Sequence, residues 1–151
     1  MATDLSEVAL ENVAKIEGVT TQKLDLTEPF AFADESFDIV LADLCLHYFS
    51  EAMTEKIMLE IKRVLKKGGM LLARVNSIAD INHGAGQGEK LEENFFFVEG
   101  YNKRFFDEET AQKFFGLIGS CQVRNAVMKR YEKEKQLLEI SALKNNLINN
   151  N

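Results

Sequence analysis

A chain of 151 residues, 46% apolar and 28% charged, has the length and mix of one globular domain. Its 11 Phe and many Ile, Leu and Val can bury enough surface to offset ordering entropy, which excludes collagen-like, low-complexity and strongly disordered classes. The net charge of −6 gives no broad attraction to phosphate backbones, so a small molecule is favoured over nucleic acid as a partner. Cys45 and Cys121 lie far apart with no CxxC or Cys/His neighbour at ligand spacing, so neither a disulfide nor a metal site is expected. The opening MATDLSEVAL lacks a basic segment followed by an apolar one, and no run approaches about 18 apolar residues. Cytoplasmic localisation and no membrane contact are the expectation.

Leu5, Ser6 and Leu10 have the spacing of a hydrophobic staple around an N-cap serine. Ala9, Leu10, Val13 and Ala14 continue it as a helical stripe that Gly18 ends. Residues 19–26 read as a weaker, Thr-rich strand closing on Asp25 and Leu26, and 28–36 as a loop with the single proline. Phe37, Ile39, Val40, Leu41 and Ala42 are near-continuously apolar, the pattern of a strand buried on both faces of a parallel sheet.

Ser50 caps a predicted helix whose Met53, Ile57, Ile61 and Val64 or Leu65 keep a three-to-four spacing, with basic residues in the last turn and Gly68 and Gly69 as its stop. A second buried strand follows over 70–75, making a βαβ unit and an α/β class. Residues 76–100 show no period. They contain GAGQG over 84–88 and the run Phe95 to Val98, and read as an excursion off the sheet. Asp107 caps a predicted helix bearing Ala111, Phe114, Phe115 and Ile118. Two alternating stretches, 121–131 and 136–143, flank a short charged turn and form an antiparallel pair, and 145–151 is an Asn-rich tail expected to fray.

SFDIVLADLCLHYF (36–49) followed by EIKRVLKKGGMLLARVN (60–76) resembles the fourth and fifth motif blocks of class I S-adenosylmethionine-dependent methyltransferases. Lys67 stands where that family often has proline. TDLSEVALENV (3–13) is similar to the second block, and Asp25 with Leu26 to the third. The resemblance implies a Rossmann-like α/β fold: a mostly parallel sheet ending in an antiparallel strand pair, as a single domain over 1–144. It implies S-adenosylmethionine as cofactor and methyl transfer as the activity. The first block, a strand and an ExGxGxG turn beside the methionine half of the cofactor, has no counterpart in the sequence, so the fold reads as N-terminally truncated and cofactor binding by this chain alone is in doubt. GAGQG matches as text but is followed by EKLEEN, which lacks the apolar pattern of a helix; a mobile lid or a plain surface loop are the open readings.

By this resemblance the cofactor-binding residues are Asp4, Leu5, Asp25, Leu26, Ala42 and Asp43. A carboxylate only accepts, and both the ribose hydroxyls and the adenine amino group donate. Asp4 as a plain helix N-terminal acid and Asp25 as a turn residue remain open. Asp43 and His47, just beyond the fourth-block strand, are the candidates for taking a proton from the acceptor, with packing as the competing role for His47. Tyr48, Asn76, His83, Tyr101 and Arg104 are candidate substrate residues, with Phe95 to Phe97 as a pocket wall or simply as core. The alternative function is an inactive module that keeps the fold for association, and the edge left by an absent strand would then make a homodimer.

Overall fold

The computed structural model describes residues 1–129 and 132–145. The chain divides into two compact units, Met1–Phe32 and Ala33–Asn151.

The first unit contains β1 (Ala2–Asp4), α1 (Glu7–Val13) and β2 (Thr21–Lys23). The strands pair in parallel, with Asp4 opposite Lys23. Ser6 caps α1 by accepting the Ala9 N–H, as its spacing predicts, but the helix closes at Ala14 and Gly18 lies beyond it in a turn at φ 78°. No residue of α1 is buried. The strand expected over 19–26 shortens to three residues.

The second unit is built on a four-stranded sheet of order β3-β4-β9-β8, comprising β3 (Phe37–Asp43), β4 (Leu65–Asn76), β8 (Gly119–Met128) and β9 (Lys135–Lys144). β3 and β4 are parallel, whereas β9 runs antiparallel to both β4 and β8. The Rossmann-like α/β expectation therefore holds, including the terminal antiparallel pair; Tyr131 and the tail beyond Asn145 lie outside the described residues. Ser50 caps α2 (Glu51–Val64), which buries Thr54, Ile57, Met58, Ile61 and Val64. Asp107 caps α3 (Glu108–Phe115) in a capping box with Thr110, and α3 buries Ala111, Phe114 and Phe115. The α2 helix ends at Val64, four residues before the glycine pair. Leu65 is already extended and pairs with Phe37, and the next pairing, Ile39 with Met70, leaves residues 66–69 as a bulge.

β3 departs from its predicted burial. Ala42 is 5% exposed, but Ile39 and Leu41 on the opposite face are 62% and 74% exposed. The same division continues through β4, where Leu71 and Ala73 are buried and Leu72 is exposed. The uncovered face ends in a row of alternating charge across the sheet, Asp43, Arg74, Glu139 and Arg124, set by strand register.

The excursion after β4 is ordered. A 3-10 turn (Ile81–His83) leads to an antiparallel sheet of β5 (Glu89–Glu92), β6 (Phe95–Val98) and β7 (Tyr101–Arg104). Asn94 supplies a left-handed residue at the first reversal, and Glu99 and Gly100 supply two at the second.

Candidate functional site

In the first unit, Leu24 donates its N–H to the Asp4 carbonyl at 3.1 Å, so Asp4 and Asp25 sit at neighbouring carboxyl ends of two parallel strands. Asp4 Oδ1 accepts the Ser6 N–H at 2.8 Å. Asp25 Oδ1 accepts the Thr27 hydroxyl at 2.7 Å and the Thr27 N–H at 2.9 Å, and these two donors hold its carboxyl below the usual range. In both residues the bonds fall on Oδ1, which orients the carboxylate and leaves Oδ2 for an incoming donor. Leu5 is exposed and Leu26 half-buried beside them. Two oriented acceptors on adjacent strand ends fit the hydroxyl and amino donors of an adenosine.

The methionine half of such a cofactor has no comparable cradle. Among the described residues, no glycine turn joins a strand to a helix. Two of the three GAGQG glycines instead lie against β6: a Cβ on Gly88 would fall 2.3 Å from the Phe97 carbonyl oxygen, and one on Gly84 would fall 3.0 Å from Val98. Close backbone approach, at φ 82° and 103°, accounts for these two glycines.

In the second unit, the residues after β3 and β4 do not converge as one group. Ala42 points into the helix-covered core, while Asp43 on the uncovered face is held by Arg74, which donates from Nε at 2.7 Å and Nη2 at 2.8 Å. Leu44 follows at φ 55°, a left-handed leucine whose N–H donates to the Arg74 carbonyl at 3.0 Å. His47 is 3% exposed and its Nδ1 has no hydrogen-bond partner. Burial, and then the positive charges of Lys135 and Lys103, push its pKa down to about 3 against the opposing pull of Asp80. Its ring lies 4.3 Å from that of half-exposed Tyr48.

His47 and Asn76 are linked through one short segment: the Arg104 N–H donates to the His47 carbonyl at 2.7 Å and the Phe106 N–H to the Asn76 carbonyl at 2.8 Å. Asn76 is buried with its Oδ1 unpartnered. Arg104 is 4% exposed at its side chain, lies over the Phe95 and Phe114 rings, and donates to the Phe49 and Glu93 carbonyls and to the Glu92 carboxylate. It braces β5, β7 and the start of α2, where Glu92 also accepts the Glu51 N–H. Tyr101 is 64% exposed on β7, apart from this buried group.

Asp80 and Lys135 escaped the sequence reading. Asp80 is fully buried; its Oδ2 pairs with Lys135 Nζ at 2.9 Å, and its Oδ1 accepts the Gln136 N–H at 3.0 Å and lies 2.8 Å from His83 Nδ1. The segment that reads as a lid is thus tied at Asp80 to the start of β9. The one available signal was an acid set among Ile78, Ala79 and Ile81. No cluster of three or more metal-ligating side chains occurs, and no helix is long and apolar enough to cross a membrane, among the described residues.

A family model described as a methyltransferase domain matches residues 1–73. No curated protein matches the sequence. A SAM-dependent methyltransferase from Methanosarcina mazei shares the fold at 18% identity and TM-score 0.73, over 95% of this chain and 80% of that one. A Thermotoga maritima SAM-dependent methyltransferase, described as a possible histamine N-methyltransferase, superposes at 23% identity and TM-score 0.66, over 94% and 72% of the two chains. The Burkholderia thailandensis 1,6-didemethyltoxoflavin-N1-methyltransferase, solved with 1,6-didemethyltoxoflavin and S-adenosylhomocysteine, superposes at 17% identity and TM-score 0.68, over 95% and 60%. The fold is shared with S-adenosylmethionine-dependent methyltransferases, and residues 1–73, just under half of the chain, match a methyltransferase domain model.

Proposed function

We propose that this chain serves S-adenosylmethionine-dependent methyl transfer to a small-molecule acceptor, with Asp4 and Asp25 holding the adenosine half of the cofactor. The observation that carries the reading is the pair of oriented carboxylates on adjacent strand ends. Asp4 would accept from the ribose hydroxyls and Asp25 from the adenine amino group, with Leu5 and Leu26 against the adenosine. When bound, the cofactor supplies an activated methyl on a sulfonium that leaves readily, so alignment matters more than a strong base.

His47 and Asp43 divide the remaining roles. His47 is neutral above about pH 3 and a weak base, suited to a hydrogen bond with a neutral acceptor. Asp43 is held by Arg74, so its carboxylate shapes the strand end and does not need to move a proton. The acceptor's proton then passes to solvent. Asn76 and His83 stand as acceptor-side groups, Tyr48 and Tyr101 as exposed rims, and Arg104 as a brace behind them. Among the described residues β1 and β3 each pair on one side only, and an edge of either kind accepts a further strand, including one that carries a glycine-rich turn.

Calorimetric titration with S-adenosylhomocysteine tests this. Asp4→Ala and Asp25→Ala should each weaken binding about tenfold, the worth of a charged hydrogen bond. Supplying a strand and ExGxGxG turn upstream should tighten it further. Equal binding by both variants, or no gain from the added segment, would overturn the assignment.

A further inference from the structure

A cleft of about 550 Å³ opens at one end of the four-stranded sheet, and Lys62, Lys67 and Lys144 line it together with Glu35, Ser120 and Ile118. Lys144 pairs with Gly119 at that end, whereas Asn76 pairs with Leu137 at the other, so the cleft is distinct from the His47 and Asn76 group. In a chain with 24 acidic and 18 basic side chains, three ammoniums around one carboxylate is a local reversal of charge.

The neighbouring basic residues are already matched: Lys66 pairs with Asp38, and Arg63 with Asp34 and Glu60. Those turned to the cleft are not. Lys62 Nζ donates to the Leu117 carbonyl at 2.7 Å and Lys144 Nζ to the Leu65 carbonyl at 2.6 Å, which serves the chain just beyond α3 and α2. An ammonium carries three donors, so each keeps two. The Lys144 side chain is only 14% exposed, and the one carboxylate beside it, Glu35, stands 3.7 Å away. A lysine so covered is ordinarily matched by a close counter-charge. Lys67 is exposed and has no ion pair or side-chain hydrogen bond among the described residues. Solvation alone would account for Lys67 but not for Lys144.

We propose that this cleft binds a phosphate monoester of a small molecule. Three positive charges and one negative leave a net charge of +2, which a phosphate monoester, with about two negative charges at pH 7, neutralises. Lysine binds phosphate as a point charge, without the fixed fork that a planar carboxylate favours. Ile118, 1% exposed, gives the cleft an apolar floor for the carbon part, and the Glu35 carboxylate and Ser120 hydroxyl suit hydroxyl groups on it. The volume falls within the range of about 300–1,000 Å³ that holds small molecules. A monocarboxylate would leave one positive charge unmatched. An extended polyanion needs a basic stripe, and the net charge of −6 repels it beyond this cleft. The inference does not rest on methyl transfer.

Titration of the full chain with glycerol 3-phosphate, followed by calorimetry and amide chemical shifts, tests it. Saturable binding with Kd of about 1 mM or tighter is expected, with shifts at Lys67, Ile118 and Ser120 and no response to glycerol. Lys67→Ala should weaken binding about tenfold, the worth of one charged hydrogen bond, and Lys67→Glu about 100-fold. The Lys67 side chain supports no other among the described residues, so its variants fold; circular dichroism checks this. Lys56→Ala, the same charge change at an exposed position of α2, should leave binding within about twofold. Absence of saturation would overturn the proposal, as would equal effects of Lys67→Ala and Lys56→Ala. Binding confined to an oligonucleotide or to phosphatidylserine vesicles would overturn it too.

Discussion

Met1–Phe32 and Ala33–Asn151 are built to different standards. The first holds a single buried apolar side chain, Phe30, two three-residue strands and a helix with nothing buried. The second holds the rest of the described core, including Phe105, Phe106, Phe114 and Phe115 at no more than 1% exposure. A seven-residue helix is marginal in isolation, so α1 depends on its cap and on β1 and β2. The carboxylates that suit an adenosine ride on the thin unit, and the charged and aromatic packing sits in the thick one. The oriented carboxylates and most of the buried core therefore lie in different units.

The largest expected break in that contrast is Arg104→Met. Removing the guanidinium strands a partly buried Glu92 and two carbonyls, and should cost about 3–5 kcal/mol in urea unfolding of the second unit. His47 comes next. Its folded pKa of about 3 lies below the ordinary 6.5, so across that window the unfolded chain binds a proton that the folded chain does not. Stability is full above about pH 6.5 and falls with pH, by about 3 kcal/mol at pH 4, and His47→Leu should flatten that limb of the urea-midpoint profile. Gly88→Ala, forced against the Phe97 carbonyl at φ 82°, should cost about 2 kcal/mol on the same measurement. The smallest effect belongs to the first unit: Ser6→Ala should cost about 1 kcal/mol, visible as faster amide exchange in α1 with the second unit's exchange unchanged. Exchange spreading equally through both units would show that they open together.

Local chemistry was legible in the sequence where it was self-contained. Ser6, Ser50 and Asp107 are caps whose side chains bond within three residues, and the short charged turn after β8 implied its pairing with β9. The β5-β6-β7 sheet escaped because its reversals rest on Asn94 and Glu99 in left-handed conformations, and Glu99 is a poor advertisement for one; Gly100 was the usable sign. Exposure of Ile39 and Leu41 was not legible, since a strand's own residues do not reveal whether anything covers its second face. Of the candidate site, the placement of Asp4 and Asp25 on strand ends could be read from their motif blocks. Arg104 and Asp80 take their roles from partners 11 to 56 residues away, which spacing along the chain does not encode.

The tie from Asp80 to Lys135 and Gln136 also bears on how the molecule assembles. β9 is the last described strand in the chain yet lies between β4 and β8, so neither neighbour has its inner partner until β9 emerges. Until then, β4 presents an unfilled edge and Asp80 lacks its two β9 partners. The sheet therefore closes late and through distant pairings, a slow kind of folding. A growing chain would be most exposed to mispairing just before β9 arrives.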